Sequence, residues 1–453
     1  MITQSQQAQP AHPVFPVEVG TSPHPQVFGL RRAAERLARK LGPRRIWHVN
    51  STPAGGGVAE LLWSSIARQQ SLGLPVGWLI ADAEPEFFQL TKRIHHGLHN
   101  RCAAEFTAED ARLYRDVTAR SAKQLLEYVR PGDVVLLHDP QTAGIAPHLL
   151  DAGVKVVWRS HIGTTERGAA VAAAWNFLRP YVEVIPTCVF TIAGFAPAYL
   201  SPAQVTAVTP SIDPEAPKNR DLSPQQCREL LRRAGLTGAP DEAVGYAVQD
   251  QPLPADAPVV TQVSRWDPLK DMTGVLRSFA EHVPTGHLLL AGPDPADIPD
   301  DPEGAGIFAE VCRMRESLPP DVRRRVHLCV LTLADQTTNA LVINAIQRSS
   351  TIIVQKSLEE GFGLTVTEAM WKSRPIVATS VGGLTAQLVD GSSGLLVDPT
   401  DSLAFASSVN SLLADETRAA RLGAAAHDRC RDRFLVDREL GDYLNLYRTA
   451  LDG

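Results

Sequence analysis

The chain is short of the features that would tie it to a membrane, a metal or a nucleic acid. No stretch reaches the roughly twenty uninterrupted apolar residues of a membrane-spanning helix. Residues 1–24 contain no Lys or Arg and no long apolar run, unlike a secretory signal, and their glutamines and prolines read as a flexible tail. The six cysteines, Cys102, Cys188, Cys227, Cys312, Cys329 and Cys430, are scattered. No pair has the close spacing of a zinc site or a redox motif, so a reducing cytoplasm is the expected compartment. With 44 basic against 50 acidic side chains the formal charge is −6, too small a bias to draw nucleic acid or an anionic surface in bulk. His95 and His99 share one helix face but have no acidic motif beside them, so no metal site is expected.

What is present is enough for two domains. The chain has 453 residues, 44% of them hydrophobic and 21% charged, and each half can bury its own core. Short apolar runs at Ile46–Asn50, Val76–Ile80, Val134–His138, Val154–Arg159 and Val184–Pro186 alternate with helical patterns, the signature of βα units with parallel strands. A second series runs through Val259, His287–Ala291, Val326–Leu331, Ile352–Gln355 and Ile376–Thr379. The segment 211–258 is looser and reads as a connection plus an insertion, with one helix near Gln225–Ala234. The expected fold is α/β: two Rossmann-like, doubly wound parallel-sheet domains facing a cleft, with ligands beyond the carboxyl ends of the strands. Their spans are 25–212 and 213–432, followed by a helix over 433–453. The helix Leu30–Leu41 carries an apolar stripe opposite a basic face and is expected to pack on the first domain.

The stretch EEGFGLTVTEAMWK, from Glu359 to Lys372, is the most informative. Thr351–Gln355 reads as a buried strand, Glu360-Gly361-Phe362-Gly363 as the turn leaving it, and Leu364–Lys372 as a helix. Backbone N–H groups of Gly363, Leu364 and Thr365 at that helix start suit a phosphate. Glu360 and Glu368 each accept hydrogen bonds from two adjacent hydroxyls, as on a hexose or a ribose. After the strand at Val259 come Arg265 and Lys270, two cations able to converge on one diphosphate, where leaving-group charge develops. In the first domain Asn50 opens a loop with Gly56 and Gly57, whose bare backbone admits a ligand closely. It is neither a dinucleotide fingerprint nor a triphosphate-binding loop. His138-Asp139 and His161 end two further strands. A His-Asp pair there could equally cap the next helix.

The Glu, Phe-Gly and Glu-Ala-Met pattern after a strand resembles the donor-site signature of the retaining glycosyltransferases of family 4. With TSVGGLTAQLVDGSSGLLVDP further on, it is most similar to the trehalose-forming branch, the glycosyltransferring synthases and the related phosphorylases. The resemblance extends from about Val49 to the last helix. It implies the GT-B architecture, with the last helix crossing back to the first domain. It also implies hexosyl transfer from a nucleoside diphosphate sugar with retention, without a cofactor or metal. Arg265 and Lys270 would hold the diphosphate, Glu360 the donor sugar and Glu368 the ribose. The glycine loop would close over the donor phosphates, and His161 would lie near the reacting sugar. Asn50, His138, Asp139 and Gly163 would border the acceptor. With no carboxylate placed as a nucleophile, attack would come from the leaving-group face, a phosphate oxygen taking the acceptor's proton.

The family reads His-Ile-Asp where this chain has His161-Ile162-Gly163, so a carboxylate expected beside the acceptor is missing. Glucose is the first acceptor, giving trehalose. A specialised-metabolite transferase acting on an aminocyclitol, a nucleoside or a thiol is the alternative, followed by a phosphorylase and by a non-catalytic sugar-nucleotide binder. The expected partners are the sugar nucleotide and a small-molecule acceptor, with no nucleic acid and no membrane span; a homodimer stays open.

Overall fold

The computed structural model describes residues 14–19, 28–53, 57–100, 105–239, 242–298 and 302–452. The chain forms two compact units, Met1–Thr209 with Val436–Gly453, and Pro210–Leu435. Each holds one seven-stranded sheet.

In the first unit the strands are β1 (Val14–Val17), β2 (Ile46–Asn50), β3 (Val76–Ala81), β4 (Val134–His138), β5 (Lys155–Ser160), β6 (Thr187–Phe190) and β7 (Val205–Ala207). Their spatial order is β1-β3-β2-β4-β5-β6-β7, and every pair is parallel except β1 with β3. Val14–Val17 corrects the flexible-tail expectation for those residues. Val14 is buried against the sheet and donates its N–H to Gln124 Oε1 at 3.1 Å, and Pro16 is tolerated because the strand is an edge. Most of the remainder of 1–24 lies outside the described residues. The strand expected at Val184–Pro186 begins instead at Thr187.

Alternation along these buried strands sends successive side chains to opposite faces. Trp47, Val49, Val135, Leu137 and Trp158 enter one core, while Ile46, Val134, Leu136 and Val157 enter the other. The second core is closed by the helix Val436–Asp452, whose Tyr443, Leu444 and Tyr447 pack with Ala34, Leu37 and Leu41 of the helix Phe28–Leu41. The stripe on that early helix is thus covered by protein. The alternation also places His48, His138 and Arg159 on the face beneath the last helix, where Arg159, fully buried, pairs with Glu439 at 3.1 Å.

The second unit contains β8 (Gly245–Val248), β9 (Val259–Val263), β10 (His287–Pro293), β11 (Val326–Leu331), β12 (Ile352–Gln355), β13 (Ile376–Thr379) and β14 (Leu395–Val397). They lie in the order β14-β13-β12-β9-β10-β11-β8, with β8 antiparallel to β11. The segment 211–258 is therefore more than a connection with an insertion. It supplies an edge strand, and its helix Pro224–Arg233 shares a core with the helix Gln336–Ser349 through Leu230, Leu231, Val342 and Ile346. Loop-like composition concealed a four-residue strand whose burial comes only from its neighbour.

The connections diverge at one point in each sheet. Strand β2 neighbours β3 on one side and β4 on the other; β9 neighbours β10 on one side and β12 on the other. Such reversals open a crevice at the carboxyl ends.

Candidate functional site

In the second unit the crevice lies between the ends of β9 and β12. Gln262, buried in β9, ties the two departing loops together: its Nε2 donates to Lys270 O at 2.7 Å and its Oε1 accepts from Lys356 N at 2.8 Å. Leu358 N donates to Leu269 O at 2.8 Å, a second tie between the same loops. Lys270 then reaches Glu360, Nζ to Oε2 2.5 Å, and Ser357 Oγ donates to the same oxygen at 3.2 Å. Two residues ninety positions apart in the chain meet here. Arg265 stands in solvent, 57% exposed, with Asp267 at 3.2 Å.

Glu360 is held from behind by Gly382 and Gly383, to which the sequence analysis assigned no role. Gly383 N donates to Glu360 O at 3.0 Å. Gly382 has φ +43, and a Cβ there would lie 1.9 Å from Glu360 O. That neighbour is backbone, which no rotamer change moves aside. The helix Leu364–Trp371 begins, as expected, after a left-handed Gly363 (φ 87), and no side chain caps it. Gly361 and Phe362 form the turn before it, and Phe362 is buried against Phe434. Thr365 Oγ1 donates to Gln355 Oε1 at 3.1 Å, anchoring the helix start to the end of β12. Glu368 lies on the buried side of this helix, with Gln347 Nε2 3.5 Å from its Oε2. Burial pushes the Lys372 ammonium, four residues on, below its usual range, and Glu368 opposes that shift.

In the first unit the crevice lies between β2 and β4. Asn50 spends its amide on local structure: Nδ2 donates to Thr52 O at 2.7 Å and Oδ1 accepts from Trp78 Nε1 at 2.8 Å. Gly57 opens the helix Gly57–Ser71, while Gly56 lies outside the described residues. Neither side chain of the His-Asp pair caps the following helix Asp139–Ala143. Asp139 Oδ1 accepts from His161 N at 2.7 Å, joining the ends of β4 and β5.

The histidines form a row. His48 Nδ1 lies 3.0 Å from His138 Nε2, and His138 Nδ1 lies 3.0 Å from His161 Nε2, with adjacent rings stacked. At the far end His48 Nε2 lies 3.1 Å from Tyr447 OH. Burial, with the Arg159 charge adding to it, holds His48 down at about 3, and burial likewise holds His138 and His161 well below the ordinary imidazole range. Burial raises the Asp139 carboxyl to about 7, against the bond from His161 N and the Arg159 charge. His161 Nδ1 is buried and has no hydrogen-bond partner. His48 and Arg159 escaped the sequence analysis, although a polar residue inside apolar IWHVN and VVWRS was the available signal.

Gly163 has a physical reason to lack a side chain. A Cβ there would lie 2.7 Å from Phe195 Cγ, and Phe195 is fully buried. Among the described residues no group of three or more His, Cys, Asp or Glu is arranged to hold a metal ion, and no helix is long and apolar enough to cross a membrane.

Two family models match the chain: "Trehalose synthase, N-terminal domain" over residues 48–197 and "Glycosyl transferases group 1" over residues 335–429. It is 34% identical to a trehalose synthase of Rubrobacter xylanophilus and 32% identical to one of Thermococcus litoralis, each match covering 92% of this chain and 93% of the relative. Among solved structures, an α,α-trehalose-phosphate synthase (UDP-forming) from Burkholderia vietnamiensis superposes with a TM-score of 0.67 at 15% identity, over 90% of this chain and 97% of that one. At that identity the likeness concerns the fold alone.

Two outcomes are expected. Gly382→Ala should destabilise the protein by about 1–3 kcal/mol through overpacking and lower turnover with it, since only the Glu360 loop can yield. Gly306→Ala, inside the helix Pro302–Glu316 where an added Cβ meets nothing within 4 Å, should leave turnover unchanged and raise stability by up to about 1 kcal/mol; denaturant titration and a turnover assay on the two variants check this. The second concerns pH. Asp139 is raised from 3.8 to about 7, so its contribution to stability is full below the unfolded value and lost as pH rises through the folded one. The histidines run oppositely, losing stability as pH falls below 6.5. Asp139→Asn should thus gain up to roughly 4 kcal/mol at pH 8 relative to pH 4. Equal effects in urea unfolding at the two pH values would mean that this carboxyl titrates normally.

Proposed function

The chain belongs to the trehalose synthase family of group 1 glycosyltransferases, retaining enzymes of GT-B fold, and from that premise we propose that it transfers a glucosyl group from a nucleoside diphosphate glucose to glucose, forming trehalose. The observation that carries this reading is the meeting of Lys270 and Glu360 at the crevice of the second sheet, with Arg265 exposed on the same segment after β9 that carries Lys270. A diphosphate requires cations that water does not fully screen, and a sugar requires a fixed acceptor for its hydroxyls. Lys270 and Glu360 supply both from one ion pair.

In this reading Arg265 swings from Asp267 to the diphosphate, and Lys270 shares its charge between phosphate oxygen and Glu360. The N–H groups at the start of the helix Leu364–Trp371 take a further phosphate oxygen. Glu360 accepts from donor-sugar hydroxyls and Glu368 from the ribose. As the bond from the anomeric carbon to phosphate oxygen breaks, the acceptor oxygen bonds that carbon from the same face, and its proton passes to the departing phosphate. Protein cations stabilise the charge left behind. Within the first unit, His161 is the group read as contacting a substrate hydroxyl, and the region of Asp139 and Gly163 the group read as bordering the acceptor.

Gly163 favours a second reading of the acceptor alone. Phe195 occupies the space that a side chain at 163 would need, so a carboxylate contact present in the family's pattern is replaced by a ring. An acceptor other than glucose fits that replacement.

A donor-by-acceptor screen with mass detection should yield trehalose from free glucose and at least one nucleoside diphosphate glucose; a product only with other acceptors would shift the assignment to the second reading. Within the donor site, Arg265→Ala should weaken nucleoside diphosphate binding by about tenfold or more, the worth of a charge-assisted hydrogen bond. Glu360→Gln should lower turnover while leaving that affinity equal or higher, because it frees Lys270. Calorimetric titration of both variants separates the roles, and loss of affinity in Glu360→Gln would remove Glu360 from the sugar.

A further inference from the structure

The histidine row carries a directional order of protons. Tyr447 OH donates its single proton to Gln69 Oε1 at 2.8 Å, while Gln69 Nε2 donates to Ser65 Oγ at 3.0 Å. The phenol oxygen is then the acceptor for His48 Nε2–H at 3.1 Å. A neutral imidazole carries one N–H and one lone pair. His48 Nδ1 must therefore accept from His138 Nε2–H, and His138 Nδ1 must accept from His161 Nε2–H, across contacts of 3.0 Å each. The last ring is left with an unprotonated Nδ1, the atom that meets no partner in the protein.

We propose that Tyr447, His48 and His138 are positioning residues that lock His161 in its Nε2–H tautomer and so keep Nδ1 as an acceptor for a substrate hydroxyl. The placement of that hydroxyl rests on the function proposed above; the proton order does not. Groups facing the row from the packed elements fit neutral rings. Arg159 from β5 is balanced by Glu439 from the last helix, and Asp139 bonds the His161 backbone. A cation on any ring would sit beside the buried Arg159 guanidinium, which disfavours it. The tautomer of a catalytic histidine is commonly set by what its other nitrogen contacts; here that contact is relayed through two more rings to a helix from the far end of the chain.

Removing the phenol oxygen should reverse the order. In Tyr447→Phe the group nearest His48 Nε2 becomes Gln69 Nε2, a donor 3.5 Å away. His48 then carries its proton on Nδ1, His138 on Nδ1, and His161 on Nδ1. The test is heteronuclear spectra of the full chain labelled at its histidine nitrogens, with the His161 signals assigned through His161→Gln. The wild-type protein should show His161 protonated at Nε2 only; protonation at Nδ1 would overturn the relay without any variant. Tyr447→Phe should move that proton to Nδ1 and reduce kcat about fivefold to tenfold, one hydrogen bond's worth, with donor KM little changed. An unchanged tautomer in Tyr447→Phe would also overturn it. Asp437→Asn, on the same helix and paired with Arg68 outside the row, should keep the wild-type tautomer, and a shift there would reduce the effect to loosened helix packing. A moved proton with unchanged kcat supports the relay and removes His161 from the reacting sugar.

Discussion

A parallel sheet whose strand order reverses leaves two neighbouring strands with chains departing in opposite directions, and the gap between them cannot be filled by either connection. Both units of this molecule are organised by that constraint. In the second, the gap separates β9 from β12, and a single buried amide, Gln262, bonds the loop after each strand. In the first, it separates β2 from β4, and Asp139 ties β4 to the next strand through the His161 backbone. Without such ties the loops that carry charged or polar side chains would be free to spread, and the entropy of ordering them would fall on ligand binding.

The two crevices treat charge in opposite ways. The second unit keeps ionised groups near solvent: Arg265 is mostly exposed, and Lys270 is neutralised by Glu360 without losing all contact with water. Those groups suit a multiply charged ligand, whose oxygens replace the existing carboxylate partners at little desolvation cost. The crevice of the first unit instead buries a row of imidazoles that burial holds neutral, beside a compensated charge. Arg159 has no exposure, and its pairing with Glu439 and its bond to the Tyr443 hydroxyl offset a desolvation penalty that would otherwise be several kcal/mol. That pairing draws the last helix onto β5, which in turn brings Tyr447 to His48. Stability, helix docking and proton order in the first crevice therefore share one electrostatic origin.

Much of this was legible in the sequence where one local pattern determined the outcome. The strands Ile46–Asn50, Val134–His138, Val326–Leu331, Ile352–Gln355 and Ile376–Thr379 are continuous apolar runs bounded by turns, and they form where expected. Glu360 and Lys270 were both identified, since each follows such a strand. Their direct bond was not, because it depends on which strands become neighbours, and strand order is a tertiary choice. The edge strands β1 and β8 were lost for a related reason. Their residues include proline, glycine and small side chains, and only pairing with β3 or β11 makes them strands. The histidine row was least legible. His48, His138 and Tyr447 are separated by 90 and 399 positions from His48 outward, and nothing local announces that two strand positions and a helix share a face.

The glycine at 163 shows how a departure from a family's pattern can be a packing consequence instead of a simple loss. Phe195 closes a short 3-10 turn, Ala193–Phe195, and its ring lies in the core with Trp158 and Phe190. An aspartate at 163 would need that ring to withdraw, which would open a cavity among large aromatics at a cost of several kcal/mol. The two positions are therefore coupled, and changing Gly163 alone does not restore a carboxylate in the family's place. On the function proposed above, an acceptor at this loop finds its hydrogen bonds in other groups. The nearby polar groups are Asp139, whose Oδ1 is already committed to His161 N, and His161 Nδ1, which is not committed to any protein group. On the function proposed above, a side of the site walled by the Phe195 ring depends on the acceptor atom that the histidine row keeps open.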